Sequence, residues 1–395
     1  MKVVLSFFNV YPFHGKGGVE KYPYYFAKSL SKAGVDVEIV TSTYDGKSRV
    51  EFYDGIKYVL LRPKIRNRKL TMNLTHPWAD ILSLNLARYL KKQDFDILHS
   101  YGGAAYFYLR YKDRRPVVVQ PFGLEPWTAY HSLNFLQKIY LQIFMRYPWK
   151  YCITHANAIA SEGAFINKQI IKLFDIDKNK IFNLPIGVDI ESIKKQIEDE
   201  KVSRSELGLS EDDFIIISVN RFIPIKGLDY LVDAFSIVKQ YVKEAKLILI
   251  GSMTYPQEVK TYEYLVNKVK KYNLSNDVIF KPNLPEDILF KYYSISDIYV
   301  SPTLQDDFII SIAEAMVCGL PVVSTGQEFL VKNGVNGCVI PKRNAEKLAE
   351  AILKIYCSES KRHIMGKHSQ KIVEEYDWSN IAKIAIKKYE NLLKK

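Results

Sequence analysis

Short apolar runs alternate with amphipathic stretches along the whole chain, and the alternation runs through twice. In the first half "KVVLSFFN", "VDVEIVTS", "IKYVLLRP", "FDILHSYG", "PVVVQPFG", "NAIASEG" and "KIFNLPIGV" read as strands, with helical patterns between several of them. Residues 191–213 form a charged stretch without a long apolar run and read as a linker. The pattern then restarts with "DFIIISVNRF", "AKLILIGS", "DVIFKP", "DIYVSP", "LPVVSTG" and "GCVIPK". Strands that alternate with helices argue for βα units around a mostly parallel sheet. At 395 residues the chain exceeds what one hydrophobic core serves. The expected fold class is therefore α/β: two tandem doubly wound, Rossmann-like domains, residues 1–187 and 188–376, with a cleft at the carboxyl ends of their strands where such proteins bind ligands. Residues 377–395 read as a final amphipathic helix behind an N-cap-like Ser379.

Charge separates the halves. Residues 1–186 hold 27 basic against 14 acidic side chains and the remainder holds 29 of each, so the first half carries the whole net charge of +13. A one-sided basic field attracts phosphates, anionic lipid surfaces or nucleic acid; the plainer reading is a solvated lysine-rich surface. Nucleic acid is set aside, because the aromatic residues of this half are interleaved as core residues and no recognition module is present. Cys152, Cys318, Cys338 and Cys357 are scattered, which suggests neither disulfides nor a zinc site and fits a reducing compartment. "MKVVLSFFNVYPFHGKGG" runs into a Gly-rich turn without a small-residue cleavage site and reads as a first strand, not a leader. No stretch approaches the ~18 to 20 apolar residues that span a bilayer.

Three constellations carry chemistry. "HGKGGVEKYPYYFAKSL", residues 14–30, puts Gly17 and Gly18 at a strand-to-helix turn; a helix start offers free amides to an anion, although this turn matches no established phosphate fingerprint. "VNRFIPIKGLDYLVDAF" places Arg221 and Lys226 after the first strand of the second half. Two fixed cations suit a departing diphosphate, and cations near a helix start have little structural reason to be there. "DDFIISIAEAMVCGLPVV", residues 306–323, sets Asp306 in a loop and Glu314 eight positions on inside a helix. Ser311 and Glu314 read equally as a capping box, which needs no function. The alternative has the amides of Phe308, Ile309, Ile310 and Ser311 holding a diphosphate, with the two carboxylates accepting sugar hydroxyls on either side.

Taken in order, "GGVEKY", "LPIGVD", "NRFIPIKGLDYLVDAF", "DIYVSP", "AEAMVCGLPVV", "NGVNGCVIP" and "YDW" resemble the retaining GT-B glycosyltransferases of glycosyltransferase family four over essentially the whole chain. The resemblance implies that Asp306 and Glu314 stand for the family's paired acids, Asp306 facing the transferred sugar and Glu314 the ribose. It makes Arg221 and Lys226 the diphosphate pair, Gly18 the loop amide near the phosphate, and the last helix a crossing back onto the first domain. Departures stand beside it. The first acid is Asp, Asp307 and Ile309 replace the usual glycines, and Phe122 stands before Gly123 where a histidine is common. Either the sugar contacts are altered or catalysis is lost; His14 and His99 are the histidines available to substitute.

The implied activity is transfer of a sugar from a nucleotide-diphosphate sugar, with retention, to a lipid-linked or glycan hydroxyl; Phe122, Gly123, Glu125 and His14 fall on the acceptor side. No metal and no cofactor are required, since Arg221, Lys226 and helix amides supply the positive potential. "RPKIRNRKL", residues 62–70, followed by "THPWADILSLNLARYL" and "FLQKIYLQIFMRYPWKY", combines basic with apolar residues. That suits peripheral contact with an anionic membrane from the cytoplasmic side, and equally the core faces of sheet-packing helices. The alternative function is a catalytically silent nucleotide- or glycan-binding partner subunit. A sugar-nucleotide epimerase ranks lower, because no set of catalytic acids and bases is in view.

Overall fold

The structure, a computed structural model, describes the chain except residues 16, 44–46, 63–78, 125–126, 128–134, 200, 305–309, 327–328 and 395, and except the side chains of 79–82, 136–137, 140 and 286–287. Two compact units emerge: Met1–Gly187 with Trp378–Lys395, and Val188–Asp377.

The first unit is built on eight strands: β1 (Lys2–Ser6), β2 (Asp36–Ser42), β3 (Arg49–Tyr53), β4 (Ile56–Leu61), β5 (Ile97–Tyr101), β6 (Val117–Gln120), β7 (Ala158–Ser161) and β8 (Ile181–Asn183). Their order is β3-β4-β2-β1-β5-β6-β7-β8, and every pair is parallel except β3 with β4. The antiparallel edge strand β3 was not expected; its "RVEFY" is half-exposed and charged, as an edge strand tolerates. The central strands are buried on both faces, which is why "KVVLS" and "PVVV" read as continuous apolar runs.

The second unit carries β9 (Phe214–Val219), β10 (Ala245–Gly251), β11 (Val278–Pro282), β12 (Ile298–Ser301), β13 (Val322–Ser324) and β14 (Gly337–Val339). Their order is β11-β10-β9-β12-β13-β14, all parallel. Strand order reverses between β1 and β5 in one sheet and between β9 and β12 in the other, so each unit has a switch point at its carboxyl edge.

Two boundary readings are corrected. The segment read as a linker begins as the helix Ile190–Asp199, whose Ile190 and Ile193 are buried in the second unit; three isoleucines at helical spacing among charges made too weak a run to notice. The last helix is Trp378–Leu393, so Ser379 lies inside its first turn and does not cap it. The indole of Trp378 packs so closely on Gly187 that a Cβ there would come within 2.4 Å of it, and Ser29 Oγ donates to the Trp378 carbonyl (2.6 Å). Trp378, Ile381, Ala382, Ala385 and Tyr389 thereby complete the first unit's core. Among the described residues no helix is long and apolar enough to cross a membrane.

Candidate functional site

The switch point of the second unit is stitched together by backbone. Leaving β9, the chain turns through Asn220–Phe222 into a short 3-10 turn, Pro224–Lys226, and then Gly227 in the left-handed region (φ 64°) opens the helix Leu228–Tyr241. The chain leaving β12 runs alongside it, and the Leu304 amide donates to the Ile225 carbonyl (2.8 Å). A Cβ on Gly227 would lie 2.1 Å from the Pro302 carbonyl oxygen, so glycine is demanded there both by φ and by the approach of the second loop. Arg221 and Lys226 therefore sit on a turn braced against the β12 loop.

The helix Ile310–Val317 is fastened to the end of β9. Ser311 Oγ donates to the Val219 carbonyl (2.9 Å) and lies 2.7 Å from the Tyr299 hydroxyl. Ser311 is thus within the helix and bonded to a strand, which overturns the capping-box reading of Ser311 and Glu314. Glu314 instead accepts from the Tyr293 hydroxyl (3.3 Å). Burial first, and the Glu314 charge next, push the Tyr293 phenol well above its ordinary pKa, so it remains a donor. Asp306, Phe308 and Ile309 lie outside the described residues; Ile310 and Ser311, both partly exposed, begin the described helix.

Arg221 is held by a residue the sequence did not single out. Its Nε donates to Glu258 Oε1 (2.8 Å), and its guanidinium carbon lies 5.9 Å from the centroid of the Tyr255 ring. Glu258 stands three residues into the helix Pro256–Lys271 and accepts also from the Thr254 amide (2.8 Å), the Tyr255 amide (3.1 Å) and Ser252 Oγ (3.0 Å). Burial works to raise its pKa, but Arg221, the two amides and the serine together hold the carboxyl below its usual range. "TYPQE" does carry a helix-start signal, with proline in the first turn and Glu behind it. What the signal lacks is any hint that the Glu meets an arginine 37 positions earlier.

The first unit's carboxyl edge is built otherwise. Phe122 is buried, its ring 4.7 Å from that of Tyr22, 5.5 Å from Tyr101 and 6.3 Å from Phe7. Its acceptor-side placement is corrected: it is a packing residue of the core. Gly123 follows with φ 66°, and Glu125 lies outside the described residues. His14 accepts from the Val10 amide through Nδ1 (3.1 Å) and meets the Ser42 carbonyl through Nε2 (2.9 Å), which braces the loop after β1 against the end of β2. His99 is fully buried, with Nδ1 2.5 Å from the Tyr389 hydroxyl and Nε2 3.0 Å from Gln120 Oε1. Burial, partly offset by Gln120, lowers its pKa to about 4.

Gly17 departs from its expected use. Its backbone is extended at φ −72°, which any residue adopts, and a Cβ there would meet only the end of the Glu20 side chain. That carboxylate stands in the first turn of the helix opened by Gly18, a position at which an anion already satisfies the dipole.

Comparison with known proteins bears on this arrangement. The family described as Glycosyltransferase Family 4 matches residues 16–192, and the one described as Glycosyl transferases group 1 matches residues 199–372. The chain belongs to glycosyltransferase family four. This family-four glycosyltransferase is 26% identical to the UDP-Gal:alpha-D-GlcNAc-diphosphoundecaprenol alpha-1,3-galactosyltransferase of Escherichia coli, over 74% of this chain and 75% of that protein. Its fold is that of the sucrose-phosphate synthase from Thermosynechococcus elongatus, with a TM-score of 0.77 at 20% identity over 100% of this chain and 99% of that one. Anabaena HepE in complex with UDP-glucose is similar with a TM-score of 0.72 at 18% identity, over 99% of this chain and 100% of that one. The enzyme thus has the GT-B fold of two Rossmann-like units, and its membership favours an active glycosyltransferase over a silent partner subunit.

Proposed function

We propose that this glycosyltransferase takes a nucleotide-diphosphate sugar as donor and transfers the sugar, with retention of anomeric configuration, to a hydroxyl of a lipid-linked or glycan acceptor. The observation that carries the reading is the braced turn of the second unit that bears Arg221 and Lys226: the Leu304 amide donates to the Ile225 carbonyl, and Ser311 Oγ of the helix Ile310–Val317 donates to the Val219 carbonyl at the end of β9. Two cations and a helix start suit the charge that develops on a leaving diphosphate, and for that reason the reaction asks for no metal. Glu314 accepts the ribose hydroxyls and Asp306 those of the transferred sugar. The leaving phosphate then takes the proton of the attacking hydroxyl on the same face, so rate comes from positioning and charge stabilisation. HepE was crystallised with UDP-glucose, and the E. coli relative is named for UDP-Gal and a diphosphoundecaprenol acceptor; both support a nucleotide-sugar donor, and the second a lipid-linked acceptor.

A lipid-linked acceptor puts the enzyme at an anionic membrane face. Support comes from Phe135–His155, which contains Lys138, Arg146 and Lys150 and no acidic residue, and in which Phe135, Ile143 and Tyr147 are 76%, 55% and 52% exposed. Basic side chains beside exposed apolar ones suit an anionic bilayer surface.

The test is a panel of UDP-, GDP- and ADP-sugars scored by thermal stabilisation, since a ligand bound by the folded form alone raises its stability. One base should stand out, and Glu314→Ala should remove that shift and lower turnover by about a hundredfold or more. A panel without any stabilisation, or full turnover by the variant, sinks the proposal.

A further inference from the structure

The pair formed by Arg221 and Glu258 is lopsided. The carboxylate side chain is 1% exposed and the guanidinium side chain 56%. Ion pairs that serve the framework of the same unit look different: Arg204 with Asp297 is 18% and 18% exposed, and Lys239 with Asp277 is 17% and 18%. An exposed cation tied to a buried anion contributes little to stability, because solvent screens its charge. It does lose freedom. Bonding through Nε to a carboxylate that is itself fixed by Ser252, Thr254 and Tyr255 sets the plane of the guanidinium, and the Tyr255 ring lies against it.

The two loops that make this tether are also fixed to each other. The Asn220 amide donates to the Ile250 carbonyl (2.9 Å), and a Cβ on Gly251 would fall 2.1 Å from the Asn220 carbonyl oxygen. Glu258 and Arg221 are therefore mounted on one rigid seam between β9 and β10. Half a capping box explains why a Glu stands at the third helical position. It does not explain why that carboxylate turns a donor-rich, exposed arginine to one orientation. Binding Glu258 through Nε leaves the end-on edge of the guanidinium, formed by its two terminal nitrogens, which is the edge that meets two oxygens of a phosphate side by side.

We propose that Glu258 is a positioning residue for the donor: it locks Arg221, pre-paying the entropy of ordering that side chain, so that its terminal nitrogens meet the diphosphate in one pose. The inference rests on the reading of Arg221 as a diphosphate ligand. Glu258 itself touches no substrate; it acts through Arg221.

The test uses the full chain with UDP, GDP and ADP, each beside its nucleoside, titrated against wild type, Glu258→Gln, Arg221→Lys, Arg221→Ala and the double variant Arg221→Ala with Glu258→Gln. For the diphosphate that binds, Glu258→Gln should weaken affinity about tenfold, the scale of a charge-assisted hydrogen bond, and leave the nucleoside within about twofold. Arg221→Lys, which keeps the charge and loses the planar fork, should weaken the diphosphate similarly. In the Arg221→Ala background Glu258→Gln should add less than about twofold, since coupled residues are not additive. Equal loss for nucleoside and diphosphate would mark a merely structural role and overturn the proposal. So would undiminished diphosphate binding in Glu258→Gln while Arg221→Ala weakens it. If Arg221→Ala itself binds UDP, GDP and ADP as wild type does, the reading of Arg221 fails, and the proposal with it. Should Glu258→Gln not fold, full affinity in Arg221→Lys remains the result that overturns it.

Discussion

At its switch point the first unit packs rings where the second packs backbone. Phe7, Tyr22, Tyr101 and Phe122 fill the edge by β1, β5 and β6, with centroids 4.7 to 6.3 Å apart for the pairs that include Phe122. The edge between β9 and β12 is closed by the contacts of Leu304 with Ile225 and of Ser311 with Val219, and Arg221 remains exposed above it. One topology thus serves two ends. Aromatic packing excludes water and fixes a surface without presenting charge; a backbone seam leaves side chains available for an anion.

The two glycines at these edges test the contrast most sharply. Gly227 and Gly123 have nearly the same φ, 64° and 66°. A Cβ on Gly227 strikes the Pro302 carbonyl, whereas one on Gly123 meets nothing within 4 Å among the described residues. Gly227→Ala should cost roughly 3–5 kcal/mol, backbone strain plus overpacking, and abolish stabilisation by nucleotide. Gly123→Ala should cost only the strain, about 1–2 kcal/mol. Equal costs in urea unfolding would break the comparison.

Next in size is Trp378, by which the last helix joins the first unit. Trp378→Ala removes a nearly buried indole packed against Gly187, Tyr22 and Phe26, and should lower stability by about 3–4 kcal/mol. A change below about 1 kcal/mol would mean that the helix is not part of that core.

The acid response should come from the first unit too. The His99 pKa of about 4 lies below its ordinary value of 6.5, so the unfolded chain binds this proton first. Stability from the neutral ring is complete above pH 6.5 and is lost as pH falls toward 4, by roughly 3 kcal/mol at the lower end. Urea melts at pH 7, 5.5 and 4.5 should show a steeper loss for wild type than for His99→Gln. Parallel curves would remove His99 from the account.

The smallest effect is expected for Phe122→His, which restores the residue type common in family members. Set among the rings of Phe7, Tyr22 and Tyr101, an imidazole puts a polar ring where an apolar one packs, so stability should fall by about 1–2 kcal/mol without a gain in turnover. A rise in turnover would return this position to the site.

The fourteen strands of the described residues were nearly all legible, because apolar runs bounded by turn residues mark buried parallel strands however the helices pack. β3 escaped, since a half-exposed edge strand carries no such run. The helix Ile190–Asp199 escaped because its apolar stripe is three residues wide. Within the candidate site, Arg221, Lys226 and Glu314 were singled out by type and spacing. Glu258 was not, for pairing across 37 residues leaves no local pattern.

The sequence by itself determined two α/β units and which loop residues carry charge, since both follow from periodicity and composition over a few neighbouring turns. Tertiary structure alone decided that Ser311 bonds to a strand and not to its own helix, that Phe122 and His99 belong to a core, and that Arg221 has a buried anchor. Those outcomes depend on which distant atoms share a dry space, where an unpaired polar group is costly and a paired one becomes rigid.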